Sequence, residues 1–124
     1  MDAFFVDPEV ERLPPELVRL TDLNAVPLVD RQRVHVRLEL TPFEKSPEIE
    51  LTLVSPEGET CGSSSILEPM GWKMELTMHI RSMPGTGIHG PTAGQYELTA
   101  VISYPDIGIL DYRTAEFVLP EVTR

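Results

Sequence analysis

This chain is short of most residue types that mark a specialised chemistry. It has one cysteine, Cys61, in 124 residues, so no disulfide can form within it. It has one tryptophan, Trp72, and aromatics make up 6% of the chain, which leaves little material for a stacked sugar-binding platform. Basic residues are few: 10 Lys and Arg stand against 20 Asp and Glu, a formal net charge of −10. A polyanion repels phosphate backbones and anionic lipid surfaces, and no stripe of Lys or Arg offsets the charge, so nucleic-acid and membrane-surface binding are disfavoured. High charge of one sign also serves plain solubility. No apolar run approaches the roughly 18 residues of a membrane-spanning helix. The opening stretch, MDAFFVDPEVERLPPE, has neither the basic start nor the long apolar centre of a secretory signal, and with the lone cysteine it reads as a cytoplasmic chain.

Catalytic and cofactor motifs are also lacking. Gly85, Gly87 and Gly90 fit the string G-x-G-x-x-G, but they fall between strand-like segments and open no helix. The dinucleotide fingerprint works through a helix N-terminus, so this match is accidental. The histidines are His35, His79 and His89, with no metal-ligand spacing. No basic residue lies within ten positions of Cys61 to activate it, and Ser63, Ser64 and Ser65 suit a solvated edge strand. Among twenty acids, close pairs arise by chance and none stands out as a general acid and base. We expect no enzyme, no cofactor and no metal.

What the chain does have is a period of two. Trp72, Met74, Leu76, Met78 and Ile80 alternate with Lys73, Glu75, Thr77, His79 and Arg81. The same alternation runs through Val34 to Thr41, Ile49 to Leu53 and Tyr96 to Ser103. It places one set of side chains in a core and the other in solvent, as in a half-buried antiparallel strand. Strands are expected at about 17–23, 33–41, 48–54, 60–68, 72–82, 95–104 and 109–119. The 12 prolines fall mostly between these runs, and Ser55-Pro56-Glu57-Gly58 is a turn signal. Residues 1–16 read as an N-terminal arm or edge strand, and 17–124 as a single domain. The fold class is all-β: a two-sheet antiparallel sandwich of seven or eight strands. Cross-strand charge matching sets a register between the second and fifth strands. Arg37 opposite Glu75 also puts Glu39 opposite Lys73 and His35 opposite Thr77, which separates His35 from His79.

One local motif refines this. Ala93-Gly94-Gln95-Tyr96-Glu97-Leu98-Thr99-Ala100-Val101 resembles the Gly-x-Tyr-x-Leu-x-Ala/Val start of the penultimate strand in immunoglobulin-like and fibronectin-III-like domains. The resemblance implies that Tyr96 is a corner tyrosine, its hydroxyl bonded back to the preceding loop. The disulfide and neighbouring tryptophan of antibody domains are missing. The chain is also similar to small stand-alone bacterial proteins of this architecture with no assigned activity.

On such a fold, function sits in end loops or on a sheet face. Three loops should share one end: 41–47, 67–71 and 105–109. They and their flanks carry Phe43, Met70, Tyr104, Ile107, Ile109, Leu110 and Tyr112 where polar residues are expected. These side chains either form a contact surface or fold back to plug the core. Val54 and Val101 are apolar at outward positions of one sheet, which suits a homodimer. The expected function is a non-enzymatic protein-interaction or self-association module. A carbohydrate or small-ligand module is the alternative, against which stands the single tryptophan.

Overall fold

The computed structural model describes residues 11–81 and 91–121. Seven strands run in order: β1 (Leu20–Pro27), β2 (Arg33–Leu40), β3 (Glu48–Val54), β4 (Thr60–Ile66), β5 (Lys73–His79), β6 (Gly94–Tyr104) and β7 (Gly108–Leu119). They form two antiparallel sheets, one ordered β1-β2-β5 and the other β4-β3-β6-β7. The fold is an all-β two-sheet sandwich. Among the described residues, no helix is long and apolar enough to cross a membrane.

Period-two patterning explains the layers. Val34, Val36, Leu38 and Leu40 of β2 are buried, as are Ile49, Leu51 and Leu53 of β3 and Tyr96, Leu98, Ala100 and Ile102 of β6. β3 and β6 are the inner strands of the larger sheet, and their registers set Ile49 opposite Ile102, Leu51 opposite Ala100 and Leu53 opposite Leu98. Burying each large side chain contributes roughly 1.5–3 kcal/mol.

The charge-matched register holds. Arg37 lies opposite Glu75, Glu39 opposite Lys73 and His35 opposite Thr77, while His79 faces Arg33. The side chains settle differently from the backbone pairing: Glu75 Oε1 lies 2.8 Å from His35 Nε2, diagonally across the strands. Diagonal neighbours on one sheet face lie within reach of long side chains.

Two sequence expectations need correction. The first strand starts at Leu20, not residue 17, and runs on to Pro27. Pro14 and Pro15 instead set a single 3-10 turn over Pro15–Leu17, closed by the Val18 N–H donating to the Pro15 carbonyl at 3.2 Å. Proline supplies the φ such a turn needs. Expected strand 72–82 is β5, which ends at His79, and its Leu76 is half-buried rather than central. β5 is an edge strand, so among the described residues no strand pairs along one flank of Leu76. Of the expected N-terminal arm, residues 1–10 lie outside the described residues. Leu13 bridges Phe43 in parallel, its N–H donating to the Pro42 carbonyl at 3.0 Å.

The corner tyrosine is in place. Tyr96 is buried, and its hydroxyl donates to the Thr92 carbonyl at 2.6 Å. Its ring stacks on Phe117 at a centroid distance of 5.3 Å. At the β3–β4 turn Gly58 adopts φ +87°, and its N–H donates to the Ser55 carbonyl at 2.9 Å. A β-carbon there would be strained.

Tyr96→Phe should lower stability by about 1 kcal/mol, read from urea unfolding. Leu51→Ala should cost about 2–5 kcal/mol. Leu76→Ala should cost clearly less than Leu51→Ala; equal losses would mean that β5 is as enclosed as β3.

Candidate functional site

Three loops converge at one end of the sandwich: 41–47, 67–72 and 105–107. They border a cleft of about 670 Å³ with Lys45, Ser46, Leu67, Pro69, Met70 and Pro105 among its walls. Two bonds hold the loops together. The Tyr104 hydroxyl donates to the Lys45 carbonyl at 2.6 Å, and Ser46 Oγ donates to the Pro69 carbonyl at 3.4 Å. The 105–107 turn is closed by the Ile107 N–H donating to the Tyr104 carbonyl at 3.1 Å.

The seven expected contact residues divide. Tyr104 is 1% exposed and Phe43 8%, so both belong to the core and offer no contact surface. Tyr104 continues the inward set of β6, and Phe43 packs edge-on against Trp72 at 6.1 Å. Leu110 is half-buried against the core. Met70, Ile107, Ile109 and Tyr112 are exposed, Ile109 at 72% and Tyr112 at 67%.

A register shift explains the β7 pair. β6 and β7 slip between Ile102 and Ser103, so Ser103 faces Ile109 while Val101 faces Tyr112. One extra β7 residue is accommodated, as in a β-bulge. Ile109 and Tyr112, three positions apart, thereby reach the same outer face. Simple alternation assigns them to opposite faces.

That outer face carries features the sequence reading passed over. Leu67 is also exposed, beside the cleft. A row of hydroxyls crosses all four strands: Ser63, Thr52, Thr99 and Thr114. Glu97 sits directly opposite Glu116, a like-charge pair that disfavours the sheet. Glu48 and Glu50 share the face, and no Lys or Arg occupies an outward position on it. Arg113, opposite Ala100, reaches the Leu20 carbonyl across the sheet edge at 3.5 Å. The signal for this arrangement is strand pairing, which a single strand's sequence does not contain.

The chemistry-bearing side chains stay apart. Among the described residues, no three of His, Cys, Asp and Glu cluster as metal ligands. Cys61 is buried, and burial pushes its thiol up from the usual range, against a smaller opposing pull from Arg81. Arg81 is twenty positions away in sequence, yet its N–H donates to the Cys61 carbonyl at 2.9 Å. The Gly85 to Gly90 string and His89 lie outside the described residues.

No family model and no curated protein sequence matches this chain. Solved structures do resemble it. A glycosyl hydrolase family 2 member from Bacteroides cellulosilyticus aligns with a TM-score of 0.60 at 12% identity, over 82% of this chain and 14% of that one. A β-glucuronidase from Ruminococcus gnavus aligns at 0.50 with 14% identity, over 83% and 16%. A β-glucuronidase from Lactobacillus rhamnosus aligns at 0.52 with 11% identity, over the same shares. The chain therefore spans 14–16% of the length of the enzymes it resembles, and the likeness is one of fold.

The buried tyrosines make stability sensitive to alkali. Burial pushes the Tyr96 phenol up to about 12 from an ordinary 10.0, and raises Tyr104 as well. The unfolded chain therefore loses these protons first, and stability falls as pH rises through that interval. Urea midpoints should decline from pH 10 toward pH 12, with a shallower decline in Tyr96→Phe. Parallel declines in the two proteins would show that Tyr96 ionises as freely when folded as when unfolded.

Proposed function

We propose that this chain is a non-catalytic, immunoglobulin-like module that works by binding a protein. The strand partition supports the fold family. The first, second and fifth strands form one sheet, and the third, sixth and seventh lie in the other, as in constant-type immunoglobulin domains. The fourth strand has moved beside the third. The Tyr96–Thr92 bond adds the corner that these domains use.

One observation carries the binding role. Leu67, Met70, Ile107, Ile109 and Tyr112 stand exposed around the loop end and the adjoining face of the larger sheet. Scattered apolar side chains on a surface are ordinary, but a group gathered at one end is the usual anchor of a protein contact. The bonded loops beneath it hold that surface in shape before any partner arrives, which lowers the ordering cost of binding.

A carbohydrate-binding role is the second reading. It is supported by Tyr112, whose ring stands on the outer face beside the hydroxyls of Thr99 and Thr114. The solved structures named above are glycosidases, which agrees with it at the level of fold.

The double substitution Ile107→Asp with Ile109→Asp separates these. It should leave the thermal midpoint nearly unchanged and abolish binding to a partner that the wild type retains in cross-linking. Retention of every wild-type contact by the variant removes the protein-binding reading. A change in tyrosine fluorescence on adding glycans, lost in Tyr112→Ala, favours the sugar.

A further inference from the structure

The strand registers lay out the outer face of the larger sheet row by row. Glu48, Ser103 and Ile109 form one row, and Leu67 borders Glu48 in the loop-end cleft. Glu50, Val101 and Tyr112 form the next. The hydroxyl row follows, and then Val54, Glu97 and Glu116. Successive rows are about 6.8 Å apart, so Glu97 lies about 14 Å along the strands from Glu50. The apolar strip of Ile109, Tyr112 and Val101 is thus bracketed by carboxylates, Glu48 and Glu50 beside it and Glu97 and Glu116 beyond the hydroxyls. Glu50, Glu97 and Glu116 are exposed. The ion pairs among the described residues, Arg33 with Asp30 and His35 with Glu75, both use β2 of the other sheet. Residues 1–10 and 82–90 contain no Lys or Arg, and residues 122–124 contain Arg124 alone.

We infer that this face takes a basic protein surface, one that sets Lys or Arg on either side of an apolar strip. The inference rests on the protein-binding reading above and adds the partner's chemistry to it. Charge complementarity selects the occupant. A second copy fits badly, because two such faces in contact would gather carboxylates from both with no cation on either. The net charge of −10 opposes that approach at longer range too. Residues 1–10 are equally unsuited, since they bring Asp2, Asp7 and Glu9. A partner's cations would also relieve the repulsion between Glu97 and Glu116, which the chain bears when alone. Glu50 is already aimed, its carboxylate accepting from the Ser65 hydroxyl at 2.7 Å. Carboxylates at both ends of the strip fix how the partner lies along the strands.

The test is fluorescence anisotropy on the full chain with three labelled peptides at low salt. The first repeats Lys-Ser-Leu-Ser, so that when extended its lysines recur about every 14 Å with leucine between them on the same side. The second has Glu in place of Lys, and the third Ser in place of Leu. The wild type should bind the first, bind the third about tenfold more weakly and ignore the second, and added salt should weaken the first. Glu50→Gln, Glu97→Gln and Glu116→Gln combined should weaken the first peptide by about tenfold or more. Glu11→Gln, Glu39→Gln and Glu121→Gln combined, which remove the same charge away from this face, should change it by less than about threefold. Circular dichroism confirms that each variant is folded. Glu116→Gln alone should weaken binding while the urea midpoint holds or rises, because the repelling pair is gone. A fall in both makes Glu116 a residue of the fold and overturns the inference. So does a wild type that ignores the first peptide, or equal losses in the two triple variants. Ile109→Ser separates this inference from the reading beneath it. If Ile109→Ser weakens binding and the carboxylate variant does not, the apolar contact stands and the basic partner falls. If neither weakens it, both fall at this face.

Discussion

The contact between β3 and β6 is the constraint on which the rest of the molecule depends. Ile49, Leu51 and Leu53 meet Ile102, Ala100 and Leu98, and all six side chains are fully shielded from water. Because side chains alternate with a period of two, a slip of one residue would turn this whole set toward solvent. The pairing therefore fixes the register of the larger sheet and the face on which every other residue of β3 and β6 must lie. The smaller sheet then closes over it with Val34, Val36 and Leu38, whose strand is the inner one of three.

Departures from that regular layer shape the surface. Tyr104 ends the inward row of β6, and its hydroxyl reaches the 41–47 loop instead of water. The neighbouring slip in the β6–β7 pairing then turns Ile109 and Tyr112 outward together. A buried phenol needs a hydrogen-bond partner, and a loop carbonyl supplies one while anchoring the loop. The same residue thus seals the core and holds the platform on which the exposed apolar group stands. The opposite corner is tied by Tyr96 in the same way, through Thr92. The two tyrosines resist ionisation for one reason, burial, so both corners share a sensitivity to alkali.

Much of the fold was legible in the linear chain. β2, β3 and β6 fall within a residue or so of where their alternation puts them, because both their faces are decided by one core. The register of β2 against β5 followed from charge matching, since like charges set opposite one another are unfavourable. β1 was less legible: its apolar spacing before Asp22 also fits a turn, and a 3-10 turn takes up part of it. The candidate surface was half legible. The convergence of three loops followed from strand order alone, whereas Phe43 and Tyr104 gave no sign in sequence of which way they turn.

By itself, then, the amino-acid order determined the class of fold, the inner strands and the corner tyrosine. Those depend on local periodicity and on a short motif, and both are written in neighbouring residues. Tertiary structure alone decided that Arg81 reaches Cys61, that Glu97 confronts Glu116, and that Ile109 and Tyr112 share a face. Each of these joins positions on different strands, and such a relation exists only once the sheets have chosen their partners.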